Sequence, residues 1–201
     1  VIQRPASILK ELVENSLDAG AKRIVVEVEE AGKASLKVTD DGCGMSQMDA
    51  RMAFERHATS KISDVQDLFS LRSMGFRGEA LASIASVAQV ELTTKRAEDE
   101  MATQLTLNGS DVVSVRNVAA PVGSSFMVRN VFFNVPARRR FLKSNQTELK
   151  HLIEQFERIV LVYPQISFTL HSNGTELFSL RACNYRQRIV EVFGKRLNQD
   201  L

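Results

Sequence analysis

Several features that would place a chain in a specialised class are scarce here. The two cysteines, Cys43 and Cys183, are too few for a disulfide framework and lack zinc-ligand spacing, which favours a reducing compartment. No run of about 18 apolar residues occurs, so no membrane-spanning helix is expected. The net charge of +2 comes from 26 basic and 24 acidic residues. Bulk charge therefore indicates no particular partner, and a nucleic-acid site would need local clustering.

The remaining composition is that of an ordinary globular protein. Hydrophobic residues make up 44% and charged residues 25% of 201 residues. This length allows one domain with a sizeable core, or one domain and the start of another. The first residue is Val1 rather than Met, and a helix follows almost at once. We therefore expect the sequence to be a fragment that lacks an N-terminal piece.

Hydrophobic periodicity predicts alternating groups of helices and strands. A first helix should start at Arg4 to Ser7 and stop at Gly20, and 134–143 should be a basic loop or short helix. The other predicted helices cover 48–56, 79–87, 148–162 and 184–193, and the predicted strands lie near 24–29, 34–39, 89–95, 101–107, 112–117, 124–131, 166–171 and 176–180. Hairpin-connected strands between 89 and 131 favour an α+β fold: a two-layer sandwich with a mixed, mainly antiparallel sheet.

The first helix carries polar groups that folding does not need. At about 100° per residue, Glu11, Asn15 and Asp18 fall within roughly 60° of one another. Asn is a poor residue for a helix interior, since its amide competes for backbone hydrogen bonds. The three side chains could hold a water, a divalent cation and a phosphate chain together. The alternative is a solvated helix flank.

An acidic pair followed by glycines ends the second predicted strand, in the order Asp40-Asp41-Gly42-Cys43-Gly44. Gly42 and Gly44 would let the backbone approach a flat ligand without interference from a Cβ atom. A buried Asp carboxylate can accept a hydrogen bond from an exocyclic amine such as that of adenine. The alternative is an ordinary Asp-Gly turn.

Two further segments suit phosphate groups. Glycines open a helix in Gly75-Phe76-Arg77-Gly78-Glu79-Ala80-Leu81, and N–H groups at a helix N-terminus attract anions. The segment lacks the ending of a Walker A loop, and a tight connection into a packing helix is the alternative. Thr59, Ser60 and Lys61 offer hydroxyls and a cation on a polar segment, 57–74, that could close as a lid.

A basic segment lies near residue 140. Arg138, Arg139, Arg140 and Lys143 put four cations in six positions, which suits a phosphate backbone. The alternative is a solvated helix start with Phe141 and Leu142 packed inward.

In this order, the segments resemble the N-terminal ATPase domain of MutL-type DNA mismatch-repair proteins. That family belongs with DNA gyrase B, Hsp90 and histidine-kinase ATPases, which share a left-handed, Bergerat-type ATP-binding fold. The resemblance runs from Arg4 to about Gly194. Its most specific blocks are 10–20, 40–44, 56–61, 75–81 and 128–141.

The resemblance implies a Mg²⁺-dependent ATPase with roles for named residues. Glu11 resembles the general base that activates the attacking water, Asn15 the Mg²⁺ ligand, and Asp40 the adenine-reading carboxylate beside Gly42 and Gly44. Ser124 or Ser125, after Gly123, falls where the family usually has Thr and implies a water-mediated adenine contact. Backbone N–H groups of 77–81 would cradle phosphates, with Gly75 to Gly78 leading into them. Thr59, Ser60 and Lys61 would belong to the ATP lid, and Asp18 would support the site.

The resemblance also implies partners and boundaries. Family proteins dimerise through their N-terminal domains when ATP binds, contact DNA without sequence preference, and signal from a mismatch-recognition protein to downstream repair enzymes. We expect 1–194 to be the ATPase domain and 195–201 the start of a linker to a second domain. With the dimer-forming segment and second domain missing, hydrolysis should be slow and the fragment mostly monomeric. The location would be cytoplasmic in a bacterium or nuclear in a eukaryote. A non-catalytic nucleotide- or DNA-binding scaffold of the same fold is the alternative function.

Overall fold

The protein folds around one mixed sheet covered by helices. A computed structural model describes residues 2–55 and 79–194. The helices in these ranges are α1 (Pro5–Asp18), α2 (Gln47–Met52), α3 (Ala80–Ala85), α4 (Pro136–Phe141), α5 (Asn145–Val162) and α6 (Tyr185–Phe193). The strands are β1 (Arg23–Glu29), β2 (Ser35–Asp40), β3 (Gln89–Lys95), β4 (Ala102–Asn108), β5 (Asp111–Val118), β6 (Gly123–Arg129), β7 (Ser167–Ser172) and β8 (Thr175–Leu180).

The sheet order is β5-β4-β3-β6-β2-β1-β7-β8. The pair of β1 and β7 is parallel, with Arg23 beside Ser167, and the other neighbouring pairs are antiparallel. This arrangement confirms the predicted α+β class with a mixed, mainly antiparallel sheet. It also brings β2, β6 and β3 side by side, although β6 follows β3 only after the hairpin of β4 and β5.

One face of the sheet packs against the helices. Alternate residues of β2 and β3 are buried, as expected for strands with one face on the core. The apolar stripe of α1, which includes Leu9 and Leu12, is fully buried in the same core. Phe156 of α5 packs edge-on against Phe168 of β7. α1 and α5 therefore pack beside each other on this face of the sheet.

The helix boundaries differ from the prediction most at the start of α5 and the end of α2. α5 begins at Asn145 rather than 148, because the Ser144 hydroxyl caps it by accepting the Thr147 N–H at 3.3 Å. α2 ends at Met52 rather than near residue 56. No helix within the two described ranges is both long and apolar enough to cross a membrane.

Candidate functional site

Asp40 is the last residue of β2, and its carboxylate is buried, with 7% of the residue exposed. Oδ2 accepts a hydrogen bond from the Ser16 hydroxyl at 2.7 Å, and Oδ1 accepts one from the Gly42 N–H at 2.9 Å. Burial raises the pKa of Asp40, while the bonds from Ser16, Gly42 and the Ser124 backbone pull the pKa down. The structure thus holds an oriented acceptor group at the end of a central strand.

Two hydroxyl residues continue from Asp40 across the sheet. Asp40 pairs with Ser124 of β6, and Ser124 pairs with Thr94 of β3. The Ser124 and Thr94 hydroxyl oxygens lie 2.9 Å apart, and both residues are buried. Ser125 instead lies with Thr39 at 3.2 Å, on the opposite face. Of the two serines that the sequence left open, Ser124 is the one beside Asp40.

Close packing explains both glycines of the acidic turn, residues 40–44. A Cβ atom on Gly42 would lie 2.8 Å from Ala19 Cβ and 3.0 Å from Asp40 Oδ1. Gly44 has φ +68°, and a Cβ atom there would lie 2.0 Å from the Lys95 carbonyl oxygen. Gly44 therefore lets the turn dock on the end of β3. Gly42 lets the turn pack closely against Ala19 and the Asp40 carboxylate.

Helix α1 positions the other candidate groups. Glu11 and Asn15 are both half-buried, and Asp18 is exposed at the last turn. Glu11 also borders a cleft of about 390 Å³ between α1 and α5. Because Ser16 follows Asn15 directly and bonds to Asp40, the helix that carries Glu11 and Asn15 is fixed relative to the acidic turn.

The phosphate-binding segments are described only in part. Glu79 precedes α3, and its carbonyl oxygen accepts the Ser83 N–H at 2.9 Å, while Ala80 and Leu81 form the first turn. The other predicted phosphate and lid residues lie outside the described residues: Thr59, Ser60, Lys61, Gly75, Phe76, Arg77 and Gly78. Within 2–55 and 79–194, no group of three or more His, Cys, Asp or Glu residues could hold a metal ion.

The basic segment forms the short helix α4, and it is separate from the acidic turn. Arg138, Arg139 and Arg140 are all exposed. Arg138 also lies over the Phe132 ring at 6.0 Å. Phe141 is 79% exposed and does not pack inward as in the alternative of a solvated helix start, whereas Leu142 packs on the core.

Three buried polar residues of this region were not predicted from the sequence: Ser16, Thr94 and Glu14. Ser16 has a signal that could have found it, since it falls within the apolar stripe of α1, four residues after Leu12. A hydroxyl in such a stripe needs a partner. The carboxylate oxygen Oε1 of Glu14 lies 3.8 Å from Nζ of Lys10.

The family comparison gives the class of this fold and site. The model of the histidine kinase-, DNA gyrase B- and HSP90-like ATPase family matches residues 3–130. This range holds α1, the acidic turn and Ser124 together. The chain therefore belongs to this family of ATPases.

Comparison with individual proteins narrows the class. The DNA mismatch repair protein MutL of Phocaeicola vulgatus is 64% identical over all 201 residues, and that of Porphyromonas gingivalis is 60% identical. The chain spans 32% of the length of each. The solved Aquifex aeolicus MutL ATPase domain complexed with ADP is 32% identical, with a TM-score of 0.79 over 96% of this chain and 70% of that one. Within the ATPase family, the chain belongs to the MutL ATPase domains, as the resemblance predicted.

Proposed function

We propose that this chain binds ATP with Mg²⁺ and hydrolyses it slowly, as a conformational switch in DNA mismatch repair. The observation that carries the proposal is the Asp40 carboxylate, buried at the end of β2 and oriented by Ser16 and Gly42. The Aquifex aeolicus MutL ATPase domain that resembles this chain was solved with ADP, which supports an adenine nucleotide as the ligand.

Asp40 is suited to read the exocyclic amine of adenine. Each carboxylate oxygen can accept two hydrogen bonds, so Asp40 can accept four, and three come from the Ser16 hydroxyl and the Gly42 and Ser124 backbone N–H groups. A remaining lone pair can accept the amine N–H. Guanine presents a carbonyl oxygen at that position of the ring, which a carboxylate repels. We assign Gly42 and Gly44 to shaping the turn beside Asp40, since neither position leaves room for a Cβ atom.

Glu11 and Asn15 would act at the phosphate end of the nucleotide. The Glu11 carboxylate is suited to accept a proton from the attacking water and to orient it. The Asn15 amide oxygen is a ligand of the hard type that Mg²⁺ prefers, and Mg²⁺ is usually held by one or two protein oxygens together with substrate phosphates. One amide thus fits the ion without a protein cluster. When bound, Mg²⁺ would neutralise charge on the phosphates.

The rest of the nucleotide would be held by the two phosphate-binding segments. We assign the backbone N–H groups of 77–81, reached through Gly75 to Gly78, to the phosphates, and Thr59, Ser60 and Lys61 to the lid. These roles rest on the similarity to MutL ATPase domains.

Replacement of Glu11 tests whether the protein is an ATP-hydrolysing enzyme or a non-catalytic scaffold. Glu11→Gln should lower the ATP hydrolysis rate at least about 100-fold, the usual contribution of a general base, and leave ADP affinity within about twofold. Glu29→Gln, on the exposed end of β1, is the control and should hydrolyse ATP at the parent rate. If parent and Glu11→Gln show the same background rate, the scaffold function replaces the enzyme.

The wider role follows from the mismatch-repair relatives. We propose that ATP drives dimerisation of the N-terminal domains, and that the dimer passes a signal from a mismatch-recognition protein to downstream repair enzymes. We further propose that 1–194 is the ATPase domain, that 195–201 begins the linker to a second domain, and that the protein works in a bacterial cytoplasm. The bacterial relatives and their greater length support these assignments.

DNA contact is a second proposed function, and it rests on α4. Its three arginines are exposed and adjacent, and the exposed Phe141 ring stands next to them. Arginines can neutralise phosphates of any sequence, and an exposed aromatic ring can stack on an unpaired base. We therefore assign non-sequence-specific DNA binding to Arg138, Arg139 and Arg140.

A further inference from the structure

The Thr94 hydroxyl joins three segments around the candidate adenine site. Thr94 lies near the end of β3 and is 1% exposed. Its Oγ1 accepts the Met45 N–H at 2.9 Å, lies 2.9 Å from the Ser124 hydroxyl oxygen, and lies 3.2 Å from the Gly123 carbonyl oxygen. One side chain thus contacts the segment after the acidic turn, the start of β6 and the hydroxyl beside Asp40.

The direction of the Thr94 proton determines whether Ser124 can donate a hydrogen bond to a ligand or can only accept one. A threonine hydroxyl has one proton and two lone pairs, and the Met45 N–H occupies one lone pair. If the Thr94 proton goes to Ser124, the Ser124 proton is free for a ligand or a bridging water. If it goes to Gly123, Ser124 must donate to Thr94 and then presents only lone pairs. In both cases the direction of the Ser124 hydroxyl depends on Thr94.

Ser124 needs such a partner because serine does not restrain its own hydroxyl. A β-branched residue has a restricted χ1 angle, whereas a serine side chain has three staggered positions of more similar energy. Ser124 is the direct cross-strand neighbour of Asp40, so its hydroxyl lies at the edge of the proposed adenine contact.

We propose that Thr94 is a positioning residue for nucleotide recognition, which orients the Ser124 hydroxyl beside Asp40. This inference rests on the proposed ATP function. It adds a residue on β3 to a site otherwise built from α1, β2 and β6.

The test is a set of ADP titrations by calorimetry, with Mg²⁺ present. Thr94→Val keeps the shape of the side chain and removes the hydroxyl, and it should weaken ADP binding about five- to tenfold, as for the loss of one net hydrogen bond. Thr94→Ser keeps the hydroxyl and should stay within about twofold of the parent.

Thr94→Val in a Ser124→Thr variant distinguishes orientation of the Ser124 hydroxyl from anchoring of the Met45 N–H. In Ser124→Thr, the residue at 124 restrains its own hydroxyl, so adding Thr94→Val should weaken ADP binding by about twofold or less. If Thr94 only anchors the Met45 N–H, its loss should cost the same affinity in both backgrounds, and that result would overturn the proposal. Urea denaturation of the same variants measures the stability effect separately.

Asp40→Asn distinguishes failure of this inference from failure of the proposed function. Unchanged ADP affinity in Thr94→Val, with binding lost in Asp40→Asn, would overturn the Thr94 role and keep the ATP function. Unchanged ADP affinity in Asp40→Asn would overturn both the Thr94 role and the proposed ATP function. If Thr94→Val does not fold, Ser124→Ala takes its place, since it removes the hydroxyl that Thr94 orients. It should show the same loss, and parent affinity in that variant would overturn the proposal.

Discussion

The Ser16 hydroxyl donates a 2.7 Å hydrogen bond to Oδ2 of Asp40, which joins α1 to the end of β2. Ser16 is 1% exposed, so water cannot replace either partner. α1 also carries Asn15, directly before Ser16, and Glu11, five residues before it. A single buried hydrogen bond therefore sets the helix with the proposed catalytic groups against the proposed adenine acceptor.

Removal of the Ser16 hydroxyl should affect both stability and nucleotide binding. Ser16→Ala leaves a buried carboxylate oxygen with one donor fewer, which should lower the free energy of unfolding by about 1–3 kcal/mol. Loss of that donor should also raise the pKa of Asp40 further, because the Ser16 bond favours the charged form. Urea denaturation and ADP titration at neutral pH measure the two effects. Ser7→Ala, on the same helix but half-buried, is the control and should change both quantities little.

The pH dependence of stability should reveal the buried charge of Asp40. Burial raises the pKa of Asp40 above its ordinary value of 3.8, so the folded state binds this proton more tightly than the unfolded chain. The free energy of unfolding should therefore fall as the pH rises from below 3.8 through the raised pKa, and the ionised carboxylate should lower stability at neutral pH.

Asp40→Asn should remove this pH-dependent component without breaking the local bonds. The amide oxygen can accept the Gly42 N–H, and the amide nitrogen can donate to Ser16, whose hydroxyl can turn to the Leu12 carbonyl at 3.2 Å. We expect the variant to be at least as stable as the parent at pH 8 while it loses ADP binding. Urea midpoints measured between pH 3 and 8 check the first point. A parallel pH profile in parent and variant would assign the effect to other groups.

The main elements and the acidic turn could be predicted from the sequence, because each is a local pattern. β3 shows strict alternation from Gln89 to Lys95, and α1 shows an apolar stripe ended by Gly20. Asp40 could be singled out because the family resemblance places the adenine acceptor at this acidic pair, although the Asp-Gly pattern alone is common in turns.

The hydrogen bonds of the hydroxyl residues near Asp40 could not be predicted in the same way, although the apolar stripe of α1 marks Ser16 as buried. Ser16 and Thr94 are common hydroxyl residues, and their role arises only when the fold brings α1, β2, β3 and β6 together. The parallel pairing of Arg23 with Ser167 likewise joins distant parts of the chain and leaves no local pattern. The alternative of a solvated helix start placed Phe141 inward, but the short helix α4 leaves it exposed.

Arg188 should be essential for the stability of the C-terminal helix. It is fully buried, and its guanidinium donates to five carbonyl oxygens, those of Val160, Tyr163, Pro164, Arg181 and Ile166. Arg188→Met would leave these acceptors without their donor, so we expect the free energy of unfolding to fall by about 3 kcal/mol or more. Arg186→Met removes the same type of charge from the exposed side of α6, and its urea midpoint should stay close to that of the parent. Equal midpoints for the two variants would show that these carbonyl contacts add little.

The arginines of α4 should determine how DNA binding depends on salt. Each phosphate contact contributes a slope of about −0.9 to the plot of log affinity against log salt for duplex DNA. Replacement of Arg138, Arg139 and Arg140 by Ala should therefore weaken binding to a duplex of arbitrary sequence and make the slope shallower by about 2 to 3.

A control variant tests whether the lower net charge alone, rather than the position of Arg138, Arg139 and Arg140, weakens DNA binding. Alanine at Arg116, Lys150 and Arg186 removes three exposed cations from β5, α5 and α6, so both triple variants have the same net charge. We expect this control to bind duplex DNA with nearly the parent slope, because its cations do not share one short helix. Fluorescence anisotropy with a labelled duplex between 50 and 200 mM salt measures both slopes. Parent slope in the α4 variant, or an equal loss in the control, would remove DNA binding from α4.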